Sequence, residues 1–136
     1  MKKTIIFLAS ILFIATLFTS CKDDECPIDE PTKTELLLKA EWIGDEIVVY
    51  ENDIETHRSS ISNLSMVFLP NFEVLFYEEE EMDELSEWQF MNNEQSIKLF
   101  GGEICNIDTL SETDFIISLT KNENDDVVKY VYSFKH

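Results

Sequence analysis

From Leu36 onward no long stretch of the chain spaces its apolar residues with a helical period. Short runs rich in β-branched and aromatic residues alternate instead with polar or glycine-containing breaks. Within these runs Val74 and Phe76 share one face, as do Trp88 and Phe90. Phe115, Ile117 and Leu119 line up likewise, and so do Val128, Tyr130, Tyr132 and Phe134. The opposite faces are less apolar, with Asp114, Ser118 and Thr120 in one run and Lys129, Ser133 and Lys135 in another. The pattern predicts strands at Leu37–Tyr50 (bulged at Gly44), Ile61–Leu69, Phe72–Tyr77, Ser86–Met91, Ser96–Phe100, Glu103–Leu110, Phe115–Lys121 and Val127–Lys135. Pro70-Asn71, Gly101-Gly102 and the loop around Asn122–Asp126 supply turns between them. Sequential hairpins with short connections make an antiparallel up-and-down meander, and eight strands suffice to close a barrel without exposed edges. A two-sheet sandwich satisfies the same alternation. The expectation is an all-β domain over residues 35–136.

The first part of the chain follows another pattern. Lys2 and Lys3 precede an apolar run from Ile5 to Phe18, broken only by Ser10 and Thr16, and then come Thr19, Ser20 and Cys21. A basic start, an apolar stretch and small residues at its end describe a secretory signal. An uncleaved anchor is the rival, since residues 4–21 carry no charge and roughly 18 residues is near the minimum for crossing a bilayer. Ser20-Cys21 resembles the junction of a bacterial lipoprotein signal, although Phe18 stands where that family usually has leucine. The resemblance implies that residues 1–20 are removed and that Cys21 carries lipid. Several acyl chains at ~0.8 kcal/mol per buried CH₂ make such an anchor durable. Lys22, Asp23, Asp24 and Glu25, directly after the cysteine, resemble the surface-export signal of Bacteroidota-type lipoproteins. This implies an outer-membrane lipid anchor with the protein exposed at the cell surface. Residues 21–34, with Pro27 and Pro31, read as an acidic tether reaching at most about 46 Å at ~3.3 Å per residue.

The strand region also carries a resemblance. Leu36-Leu37-Leu38 followed by Ala40-Glu41-Trp42, the Phe68…Phe72-Glu73-Val74 hairpin, the Trp88 strand, Ile107…Leu110-Ser111 and the closing Tyr130-Val131-Tyr132-Ser133-Phe134 are similar to small bacterial lipocalin-like lipoproteins. Ala40 replaces the usual glycine of the Gly-x-Trp opening, and Pro70-Asn71 replaces a common Asp-Gly. The resemblance implies an eight-stranded lipocalin-like barrel behind the signal and tether.

Charge narrows the choice of partners. The chain of 136 residues has 28 Asp and Glu against ten Lys and Arg, a net charge of −18, while 44% hydrophobic residues are enough for a core. Removing residues 1–20 takes two lysines and no acid, so the mature chain stands at −20. No basic surface remains to neutralise phosphates, which argues against nucleic acid.

Candidate chemistry is sparse. His57, beside Arg58, Ser59 and Ser60, reads as a solvated loop residue, and His136 is the only other histidine. Neither a glycine-rich phosphate loop nor a His/Cys metal spacing occurs, so no metal, no cofactor and no enzymatic activity are expected. The run Glu78-Glu79-Glu80-Glu81-Met82-Asp83-Glu84 has carboxylates for a hard cation but no Gly or Asn to converge them, and reads as a charged hairpin tip. Cys26 and Cys105 either pair, closing a loop of ~80 residues worth up to ~4.5 kcal/mol on the chain-entropy model, or Cys105 is a small buried side chain.

Two functions follow. Phe76, Trp88, Phe90, Phe115, Tyr130 and Tyr132 either line a cavity for a small apolar or amphipathic ligand or fill the barrel as core. In the first case the protein is a ligand-binding surface lipoprotein. In the second it is an accessory lipoprotein that contacts a protein partner through its outer surface.

Overall fold

The computed structural model describes residues 30–136, of which Pro31–His136 form one compact unit. A short helix α1 (Lys33–Leu38) is followed by strands β1 (Trp42–Glu51), β2 (Ile54–Ser60), β3 (Leu64–Phe68), β4 (Glu73–Glu78) and β5 (Glu81–Glu87). Then come β6 (Gln89–Met91), β7 (Ser96–Leu99), a 3-10 turn (Phe100–Gly102), β8 (Glu103–Leu110), β9 (Asp114–Glu123) and β10 (Asp126–Lys135). The strands form one antiparallel sheet in the order β5-β4-β3-β1-β10-β9-β8-β7-β6, with β2 added on β1. The fold is all-β, a nearly closed antiparallel barrel-like sheet.

Ten strands replace the eight expected, because two walls are bent. β1 pairs with β3 through Trp42 and Ile43 and with β2 through Glu46–Glu51, so β2 and β3 together flank one long strand. The second bend lies at Trp88, the single residue between β5 and β6. β5 pairs with β4 and β6 with β7, so the two ends of the sheet are consecutive pieces of one chain segment. Counting each bent wall once recovers an eight-stranded meander.

Three expectations are corrected. The first strand does not begin at Leu37: residues Lys33–Leu38 are helical, and the strand starts at Trp42. Thr32 explains this, since its hydroxyl accepts from the Glu35 N–H while the Glu35 carboxylate accepts from the Thr32 N–H at 2.7 Å, a capping box that satisfies two otherwise orphaned donors. The helix buries Leu36 and Leu37. Residues 54–60 form β2 rather than a loop. Six of its seven residues are exposed, so no apolar face announced it. β5 likewise begins at Glu81, ahead of the expected Ser86.

The meander sorts its connections into two ends. The turns after β3, β6 and β8, the entry from α1 and the end of β10 lie at one end, called here the floor. The tips after β1, β4, β7 and β9 lie at the other, the mouth. α1 is fastened at the floor, where the Lys33 ammonium donates to the Glu94 carbonyl and Lys39 lies 3.6 Å from Glu112. At the mouth, the Asn52 amide donates to Asp126 at 2.8 Å, tying the β1–β2 tip to the β9–β10 tip.

The floor half is packed solid. Trp42, Phe68, Trp88 and Phe115 touch ring to ring with centroids 5.6–5.8 Å apart, and Phe90 joins through Trp88 at 5.6 Å. Trp42 is fully buried, and its indole N–H donates to the Leu37 carbonyl at 3.2 Å. The Trp88 indole N–H donates to the Leu69 carbonyl, also at 3.2 Å. Burying rings of about 150–250 Å² at ~25 cal/mol per Å² contributes roughly 4–6 kcal/mol each before entropy is counted.

Two backbone positions generate stability predictions. The register of β1 against β10 slips between Gly44 and Glu46, which places the expected bulge at Asp45. There the Ile61 N–H donates to the Asp45 carbonyl, and a Cβ on Gly44 would sit 2.2 Å from the Ile61 carbonyl oxygen. Gly44→Ala should therefore cost about 1–3 kcal/mol, read as a lower urea midpoint. The β4–β5 tip turns on Glu79 and Glu80, both at positive φ (51° and 69°), where the neighbouring hairpins use Asn52-Asp53 and Asn124-Asp125. L-residues other than Asn, Asp and Gly are disfavoured there, so replacing Glu79-Glu80 with Asn-Gly should stabilise the protein by about 1 kcal/mol in the same assay.

Candidate functional site

The structure separates the six aromatic residues that the sequence offered as cavity or core. Trp88 and Phe115 are buried in the floor half, and Phe90 packs against them. Tyr130 lies toward the β9–β10 tip, where its hydroxyl donates to Glu123 at 3.2 Å. Of the six, Phe76 and Tyr132 border a recess on the inner side of the sheet. With Met66, Glu84, Phe100 and Phe134 they line this recess of about 190 Å³. Its walls come from β3, β4, β5, β10 and the 3-10 turn, so it lies toward the mouth.

Each wall follows from register. β3 and β4 face Met66 to Phe76, and β4 and β5 face Phe76 to Glu84. Directly opposed residues in an antiparallel pair project to the same side, so the three share the inner face. Asp83 is the extra residue of a bulge between the Tyr77–Met82 and Phe76–Glu84 pairs. The Phe100 ring lies 5.1 Å from Phe76 and 5.9 Å from Tyr132, which makes a second ring cluster. Gly101 at φ 69° and Gly102 at φ 119° let the chain turn directly after Phe100, as the Gly-Gly pair led one to expect. The Gly101 N–H is held by the Ser86 hydroxyl at 3.2 Å.

Phe100 and Glu84 were missed as site residues. Phe100 sits at the end of its segment with no alternating partner. Glu84 was absorbed into an acidic run read as a hairpin tip, ahead of the expected strand start at Ser86, although its parity with Trp88 and Phe90 would have placed it on their face once the strand is extended to Glu81. The run itself divides among the end of β4, the two-residue turn and the start of β5. Among the described residues no group of three or more His, Cys, Asp and Glu side chains is placed to hold a metal ion. His57 is exposed on β2 opposite Val49 rather than in a loop, beside Arg58, whose guanidinium is held by Glu46 and Glu55. His136 packs against Trp42, with ring centroids 5.2 Å apart.

The other offered residues divide by position. Cys21, Lys22, Asp23, Asp24, Glu25 and Cys26 lie outside the described residues. Cys105 is fully buried and belongs to the core cluster. Burial, reinforced by Glu103, pushes its thiol up to about 11. Tyr132 is also raised, by burial first and then by Cys105. No helix among the described residues is long and apolar enough to cross a membrane.

Two further features lie on the outer wall. A depression of about 250 Å³ lies beside Phe72 and Trp88. Farther round, Ile43, Ser65, Tyr77 and Met82 form one outward row, apolar but for Ser65, and Val67, Leu75 and Leu85 another, and Ile43, Met82 and Leu85 are about half exposed or more.

The fold and recess define a small antiparallel barrel with a packed floor and an aromatic-lined mouth. No protein-family model matches the chain, and no curated protein matches its sequence.

The buried thiol makes a pH prediction. A raised folded pKa favours the protonated form, so the stabilisation is complete below the ordinary thiol value of 9.0 and is lost as pH rises through about 11. Urea midpoints should fall across that window. The fall should be shallower in Cys105→Ala, whose remaining slope reports Tyr130 and Tyr132, both also raised.

Proposed function

We propose that this chain is a non-enzymatic, lipid-anchored lipoprotein of the outer cell surface whose lipocalin-like barrel binds a small apolar or amphipathic ligand at its mouth. The observation that carries the reading is the recess bounded by Met66, Phe76, Phe100, Tyr132 and Phe134. A barrel built only as a scaffold gains by closing such space with side chains, because a void forfeits dispersion contacts. Here the floor is filled and the mouth is not. The anchor rests on the signal pattern ending at Cys21, and the surface address on Lys22-Asp23-Asp24-Glu25.

A second reading is favoured by the outer rows of Ile43, Tyr77 and Met82 and of Val67, Leu75 and Leu85, an apolar face on an otherwise acidic molecule. On this reading the protein is an accessory lipoprotein, and that face meets a protein partner.

Two measurements test these proposals. Cys21→Ala should move the protein out of the membrane fraction. If the variant still pellets and resists carbonate extraction, the lipid anchor is refuted. Native mass spectrometry of the protein purified from its source cells should show an added small-molecule mass. Tyr132→Lys, folded by circular dichroism, should lose it. A bare mass in the wild-type protein would overturn ligand binding and favour the accessory reading.

A further inference from the structure

The recess has a chemical bias that the apolar reading leaves out. Its aromatic wall is a run of three rings, Phe76, Phe100 and Tyr132, with successive centroids 5.1 and 5.9 Å apart. Ring faces are electron-rich and attract cations. Glu84, exposed on β5 and opposite Phe76 in register, lines the same recess. The backbone strands beside it bring Glu78 and Asp83 to the same border. No Lys or Arg lines the recess, and none of the five ion pairs among the described residues uses Glu84. An anion entering here meets three carboxylates. A neutral hydrocarbon would cover part of Glu84 without compensating its charge, which is unfavourable.

Size narrows the class further. At about 190 Å³ the recess is smaller than the roughly 300–1,000 Å³ of pockets that enclose drug-sized ligands. It suits a compact head group and leaves a long tail outside. A primary ammonium carries three N–H donors that each want an acceptor; the recess offers these only in the carboxylates of Glu78, Asp83 and Glu84 and the hydroxyls of Ser65, Tyr77 and Tyr132, and the ring faces offer none. A methylated ammonium has no such donors, presents a greasy surface to the rings and keeps its charge for Glu84.

We propose that the mouth recess binds a quaternary ammonium group of about the size of choline, held over Phe76, Phe100 and Tyr132 with Glu84 as its counter-charge. This rests on the ligand-binding reading of the same recess.

The test uses the full lipidated protein in nanodiscs of phosphatidylethanolamine and phosphatidylglycerol, which contain no quaternary ammonium, with ¹³C-labelled methionine methyls. Met66 lines the recess, while Met82 on the outer face serves as an internal control. Two probes of nearly identical shape are titrated: choline, and its neutral carbon analogue 3,3-dimethylbutan-1-ol. The proposal expects choline to shift the Met66 methyl at a concentration at least tenfold lower than the neutral analogue requires, with Met82 unmoved. Glu84→Gln should reduce that advantage to less than threefold. Equal response to both probes would overturn the cation inference and leave recess binding standing. No response to either would overturn both. An advantage that survives Glu84→Gln would overturn the role given to that carboxylate. In nanodiscs containing phosphatidylcholine, a Met66 shift without free choline would identify a lipid head group as the source. A shift with free choline alone would identify a small solute.

Discussion

Closure of the sheet comes down to the backbone at Trp88. The hydrogen-bonded order begins at β5 and ends at β6, and this one residue joins them. Its N–H donates to the Phe72 carbonyl at 2.9 Å, extending the β4 ladder, while its indole N–H reaches back to Leu69. Its ring packs edge-on to Phe68 and Phe90. One residue thus hands the chain from one neighbour strand to the other and closes the interior around itself. Were that position polar or small, β5 and β6 would still each have a partner, but nothing would hold the bend shut. The gap between β5 and β6, each of which pairs on one side only, would widen.

This closure divides the aromatic inventory by height. Period-two alternation assigns a residue to the inner or outer side, and it did so correctly for Phe76, Trp88, Phe115, Tyr132 and Phe134. It carries no information on whether an inner residue lies near the floor or near the mouth. Core and cavity were therefore indistinguishable for each ring taken alone. The distinction arises when the turns are sorted to two ends and α1 occupies one of them. Rings near the helix become packing, and those near the Phe100 turn border open space.

Where alternation was strong, the strands were legible, and so were the bulge beside Gly44 and the Gly101-Gly102 turn. What stayed hidden had a physical cause in each case. β2 has almost no buried residue, because it extends the sheet past the barrel and pairs only with β1. α1 was masked by its own Leu36-Leu37-Leu38 triplet, which reads as strand unless the Thr32…Glu35 spacing is weighed first. The acidic run was read as a hairpin tip and is one; what it did not announce is that Glu79 and Glu80 take the left-handed conformation without the usual turn residues. Of the candidate site, the inner aromatics were readable, but their convergence with Glu84 and Phe100 depends on a bulge and a 3-10 turn that no local pattern announces.

The placement of the two tryptophans has an optical corollary. Trp42 and Trp88 are 0% and 2% exposed, both lie in the packed half, and both indole N–H groups are bonded to main-chain carbonyls. The mouth carries only phenylalanine and tyrosine among its rings. Indole emission from this molecule accordingly reports a dry environment at the floor, which meets the recess where Trp42 stands opposite Met66. Absorbance and emission of Tyr132 belong to the opposite end. The two tryptophans thus report from one end of the barrel, and Tyr132, one of four tyrosines, from another.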